Sequence, residues 1–151
     1  MSDEPILTPL VVREDDRGSL VETFHHYNLP AGRPWAGQTY VVTSPTRGTV
    51  RGLHRHAHLR EWFVCLHGRA KVVVVEAGRT EPLVRHWGFV LTATHPSRLE
   101  IPPMLWHGWM ALDDDTTLLC LGTDVYQRDQ PDEQRIAYDT FGADVWEVKP
   151  R

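Results

Sequence analysis

Short apolar runs separated by turn-forming residues make up most of this chain, and few of them repeat at helical spacing. Runs rich in β-branched and aromatic residues predict strands over 7–12, 19–24, 38–44, 49–55, 61–66 and 70–76. Further strands are predicted over 88–92, 98–101, 108–112 and 117–122. The breaks carry turn chemistry: Asp15 to Gly18, Pro45 to Gly48, and His67 to Arg69 around Gly68. Residues 28–37, with two prolines and two glycines, read as a loop, and 133–138 as one turn of helix. No internal repeat is visible. Many short strands with almost no helical period predict an all-β antiparallel sandwich or barrel.

Composition narrows this. At 151 residues and 41% hydrophobic, the chain is long enough for a real core, and one domain over 1–151 is expected. A net charge of −4 without a Lys/Arg run argues against a nucleic-acid surface. The N-terminus is acidic and no apolar run reaches membrane length, so a cytoplasmic protein is expected. Cys65 and Cys120 fall inside apolar runs and read as buried thiols.

The chemistry concentrates between Gly48 and Gly68. On a strand, His54 and His56 point to the same side, and the turn through 57–60 returns the chain to Glu61. His107, five residues after Pro102, is a fourth candidate ligand. Any one of these histidines alone reads as an ordinary strand residue. Three imidazoles and one carboxylate together suit a divalent transition ion such as iron, manganese, nickel or zinc. The spacing of Gly48, His54, His56, Glu61 and Gly68 resembles the first motif of the cupins. Pro102 and His107 resemble the second, with Met104 in place of its usual glycine. That resemblance implies a jelly-roll-like β-barrel with the ligands converging inside.

A narrower resemblance lies in Asp16-Arg17-Gly18 through Glu22 to Phe24, Arg51-Gly52-Leu53-His54, Ile101-Pro102 with His107-Gly108, and Thr123-Asp124 with Tyr126. Together these segments are similar to the dTDP-4-dehydrorhamnose 3,5-epimerase family over about residues 12–148, and Arg-Gly-Leu-His is the most specific piece. The resemblance implies a nucleotide-linked 4-keto-6-deoxy sugar as substrate. It makes His54 the base beside the ketone and Tyr126 the proton donor on the opposite face. Arg51 would hold the diphosphate, with Arg17 and Glu22 also at the substrate. It further implies a homodimer that exchanges N-terminal strands. Where the family has glutamine and lysine, this chain has His56 and Glu61, and the family's lysine supports the enolate oxygen. The Ser-x-Lys-Asp segment whose aspartate orients the histidine has no counterpart in 1–151.

A reading that joins both halves has an ion on His54, His56, Glu61 and His107 polarising the ketone in place of the lysine. An imidazole that ligates through its lone pair is not also a base, so His58, ahead of His25 and His67, becomes the candidate base. Trp106 and Trp109 flank His107 and are candidates to stack on a ring of the substrate, although core packing explains them as well. Two other readings stay open: a metal-dependent cupin dioxygenase, and a sugar-binding cupin without turnover.

Overall fold

The computed structural model describes residues 4–24, 37–77 and 85–148. Twelve strands are described, and two five-stranded antiparallel sheets carry the architecture. The first sheet has the order β1-β9-β6-β11-β4, built from Ile6–Pro9, Ser97–Ile101, Glu61–His67, Thr116–Gly122 and Gln38–Ser44. The second has the order β12-β5-β10-β7-β8, built from Gln134–Arg135, Val50–Arg55, Trp106–Ala111, Arg69–Glu76 and Arg85–Thr92. A separate hairpin joins β2, Val12–Asp15, to β3, Gly18–Val21, across the expected turn at Asp16 and Arg17. The architecture is the expected all-β cupin barrel. No helix among the described residues is long and apolar enough to cross a membrane.

The core sits between the sheets, where alternate residues of facing strands meet. Phe63 and Cys65 of β6, Val72 and Val74 of β7, Leu99 of β9, Trp109 of β10, and Leu118 and Cys120 of β11 form one buried cluster. Burying each large aliphatic or aromatic side chain contributes about 1.5–3 kcal/mol, so this cluster dominates stability. The four consecutive valines of β7 are buried on both faces, which is why they form a run and do not alternate. Val72 and Val74 face inward. Val73 and Val75 point outward into a second buried cluster with Leu53, Trp106, Val145 and Trp146. A short 3-10 helix, Ala143–Trp146, covers that outer face, and the Trp146 indole N–H donates to the Tyr138 carbonyl at 2.8 Å.

Three predicted elements differ. The run 7–12 is two strands, because β1 leaves its partner β9 after Pro9 pairs with Ser97. The Leu10 N–H then goes to the Pro96 carbonyl. The strand predicted over 19–24 ends at Val21. The turn of helix over 133–138 is instead β12, with Gln134 opposite Arg55 and Arg135 opposite His54. One helical turn is weak alone, whereas the open edge of β5 offers hydrogen bonds, continued by the Ile136 N–H to the Leu53 carbonyl at 3.0 Å. Most of the predicted loop 28–37 lies outside the described residues, and His25 lies there too.

Candidate active site

Three strands and one turn bring the histidines together. His54 is near the end of β5, which pairs with β10 so that His54 stands opposite His107. The register slips between His107 and Gly108, placing Gly52 opposite Gly108 and leaving Leu53 unpaired in the bulge. Leu53 turns into the outer cluster, while Arg51, His54 and His56 line the interior. The two backbones nearly touch there. A Cβ on Gly52, whose φ is +120°, would lie 2.7 Å from the Gly108 Cα, and one on Gly108 would lie 2.6 Å from the Arg51 carbonyl oxygen. At the other end of His107, the Met104 N–H donates to the His56 carbonyl at 2.7 Å and docks the Pro102–Leu105 turn on the ligand segment. Met104, at the cupin glycine position, has φ +70°, the left-handed region that favours glycine.

His54, His56, Glu61 and His107 each offer one ligand atom, and these atoms lie within 4.8 Å of one another. Glu61 Oε2 is the hub: it is 2.7 Å from His107 Nε2, 3.4 Å from His56 Nε2 and 3.9 Å from His54 Nε2. The far nitrogens are held as well. His107 Nδ1–H donates to the Leu105 carbonyl at 2.9 Å, and His56 Nδ1–H to the Asp132 carbonyl. Both rings are thereby oriented with Nε2 toward Glu61, as histidines that ligate metal are oriented by their outer partners. Three imidazoles and a carboxylate converging in this way form a donor set that fits a divalent ion.

The charges follow from burial. Glu61 is 3% exposed; burial alone would raise its pKa, but hydrogen bonds from His107, His54 and His56 outweigh it and hold the carboxyl well below its usual range. For His54 burial prevails and the ring's pKa is lowered, so it is neutral near pH 7. For His56 burial is outweighed by the Glu61 carboxylate and the Asp132 carbonyl, and its pKa is raised. Tyr40, which sequence reasoning passed over as a strand former, donates its hydroxyl to Glu61 Oε1 at 2.9 Å. Burial and then the Glu61 charge push that phenol far above its ordinary value. The Cys120 thiol, on the same wall and opposite Tyr40 in the β11–β4 register, is raised by burial in the same way.

These residues bound a cavity of about 330 Å³. Arg51, His54, His56, Glu61, Trp109 and Tyr126 all line it. Arg51 is fixed by Nε–H to Ser44 Oγ at 3.0 Å and by Nη2 to the Thr43 carbonyl at 3.1 Å. Tyr126 is positioned through its backbone N–H, which donates to Gln38 Oε1 at 2.8 Å. Glu133 and Arg135, in the stretch expected as a turn of helix, also line the cavity.

Four predicted residues stand elsewhere. Trp106 faces away from the cavity, because neighbours on a strand point to opposite faces and His107 takes the inner one. The Arg55 guanidinium lies 4.4 Å over its ring. His58 is exposed in the turn, where its N–H donates to Asp132 Oδ2 at 2.9 Å, and it does not line the cavity. Arg17 is exposed at the tip of the β2–β3 hairpin and pairs with Asp15. Glu22 is exposed and lines a separate depression with Arg13 and Arg98.

Known proteins resemble this chain over most of its length. The chain is 33% identical over 137 residues to a probable low-salt glycan biosynthesis epimerase of Haloferax volcanii, covering 86% of this chain and 84% of that protein. It is 27% identical over 128 residues to the TDP-4-oxo-6-deoxy-alpha-D-glucose-3,4-oxoisomerase of Aneurinibacillus thermoaerophilus, covering 84% and 82%. Among solved structures, the epimerase of Legionella pneumophila in complex with dTDP-4-keto-L-rhamnose superposes with a TM-score of 0.82 at 23% identity, over 98% of this chain and 81% of that one. The family model described as dTDP-4-dehydrorhamnose 3,5-epimerase matches residues 3–147, and the chain belongs to that family.

Proposed function

We propose that this protein is an isomerase that removes a proton beside the ketone of a 4-keto-6-deoxy nucleotide sugar. The observation that carries this is the convergence of His54, Tyr126 and Arg51 on one cavity. Two relatives bear names of epimerase or oxoisomerase chemistry, and loss of a proton beside a ketone is a common first step for either reaction. His54, whose pKa burial lowers, keeps its lone pair near pH 7 and is the base. The Tyr126 hydroxyl exchanges a proton with the sugar, and the Arg51 guanidinium pairs with the diphosphate.

His56, Glu61 and His107 would hold a divalent transition ion, and His54 would be its fourth ligand in the absence of substrate. When bound, the ion supplies Lewis-acid polarisation of a carbonyl oxygen, the role of the family's lysine. Glu61 is held for this by Tyr40 on one oxygen and by the histidines on the other. The exposed apolar Val12 and Leu20 on the β2–β3 hairpin favour a homodimer in which that hairpin packs on the second copy.

The test is to incubate the protein with dTDP-4-keto-6-deoxyglucose in D2O and follow the ring protons by NMR. Deuterium is expected at a carbon adjacent to the ketone, without oxygen consumption, and lost in His54→Asn. No incorporation by the wild-type protein sinks the reading, and oxygen uptake in its place would make the protein an oxygenase. Metal analysis of the protein purified without chelator, beside a His56→Ala/Glu61→Ala variant, tests the ion separately.

A further inference from the structure

We propose that Arg135 is a second cation for the substrate's diphosphate, working beside Arg51. This rests on the nucleotide-sugar reading above and adds a residue to it. Among the described residues that line the cavity, the permanently charged cations are Arg51 and Arg135. The lining also carries the carboxylates of Glu61, Asp124 and Glu133, so a substrate with a diphosphate enters an environment that one guanidinium does not neutralise.

Arg135 is placed for the task by pairing. It is the direct partner of His54 in the β12–β5 register, so the two side chains leave the sheet on the same face, the cavity face. Its Nε lies 2.8 Å from Glu133 Oε1, and that carboxylate is only 11% exposed, which fixes the stem of the guanidinium. The Arg135 side chain is 78% exposed, whereas the side chains of Glu61 and His107 on the floor are 4% and 2% exposed. The cation is therefore at the rim. With the sugar ketone at the floor near His54, the part of the substrate left at the rim is the diphosphate. A planar fork with several N–H donors matches phosphate oxygens in a way that glutamine or lysine does not.

Calorimetric titration with thymidine diphosphate, and with inorganic pyrophosphate as the bare anion, tests this on wild type, Arg135→Gln, Arg135→Lys and Arg69→Gln. Arg69 pairs with Asp113 away from the cavity and controls for loss of one surface charge. Arg135→Gln is expected to raise both dissociation constants about tenfold or more, Arg135→Lys to recover part of the loss, and Arg69→Gln to change neither. In turnover, KM should rise in Arg135→Gln while kcat stays within about twofold. Unchanged dissociation constants in Arg135→Gln overturn the proposal. So does a fall in kcat with KM intact, which would place the cation at the enolate. Wild-type protein that binds neither anion also overturns it. Arg135-dependent binding without deuterium exchange would leave this proposal standing and remove the isomerase reading.

Discussion

Asp132 holds His56 with its backbone and the turn after it with its side chain. Its carbonyl accepts from the imidazole, and its carboxylate accepts the N–H groups of Ala57, His58 and Leu59 at 2.8, 2.9 and 3.0 Å. A residue far along the chain thus closes the turn that separates His56 from Glu61.

Replacing Asp132 by Ala should cost about 1–3 kcal/mol of stability, read as a lower denaturant midpoint at unchanged slope. It should also weaken divalent-ion binding about tenfold, because the turn that orients His56 loosens. Partial burial disfavours the Asp132 charge, but the three N–H bonds outweigh it and keep the pKa below 3.8. A carboxyl whose folded pKa is depressed stabilises the fold above its unfolded pKa and loses that contribution as pH falls through the folded one. The Asp132→Asn protein should therefore differ from wild type at neutral pH and converge on it below about pH 4 in acid-unfolding curves.

Activity should fall on the acid side as His54 gains a proton. Burial places that pKa below 6.5, so the acid limb of kcat/KM is expected to have its midpoint below 6.5. A midpoint above 6.5 would assign the base to another group, with His56, whose pKa is raised, the first to examine.

Met104 keeps a left-handed backbone with a half-exposed side chain, at 49%. Glycine there should raise stability by about 1 kcal/mol, since relief of the Cβ clash exceeds the added chain entropy. A thermal melt of Met104→Gly decides it: a lower midpoint would show that the Met104 side chain contributes packing worth more than the strain.

The metal set should respond to protons as well. Ions compete with protons for His54, His56 and His107, so binding releases protons and weakens as pH drops. Zinc titrations from pH 8 to pH 5.5 in matched buffers should show affinity falling steeply. An affinity independent of pH would mean that the ion binds elsewhere.

Much of this site was legible because strands impose a period of two. His54 and His56 share a face for that reason, and the Pro102 to His107 spacing pointed to the fourth candidate ligand. The same rule, applied to adjacent residues, separates Trp106 from His107 and gives the inner face to Trp109. Tyr40 escaped because a tyrosine in a β-rich run has no local mark of function, and its contact with Glu61 spans 21 residues. Glu133 and Arg135 escaped because their stretch reads as a turn of helix, and only pairing with β5 turns it toward the cavity. His58 misled because proximity in sequence to two ligands says nothing of side-chain direction in a turn.

The contact between Gly52 and Gly108 has a consequence for how this protein tolerates change. Both glycines sit where β5 and β10 carry His54 and His107, and the smallest added side chain would strike backbone on the opposite strand. Backbone cannot swing aside as a side chain can, so the strands must part and the two imidazoles move with them. In a library of all single substitutions selected for activity, positions 52 and 108 should be as depleted as the histidines themselves, although neither glycine has a side chain to offer a substrate.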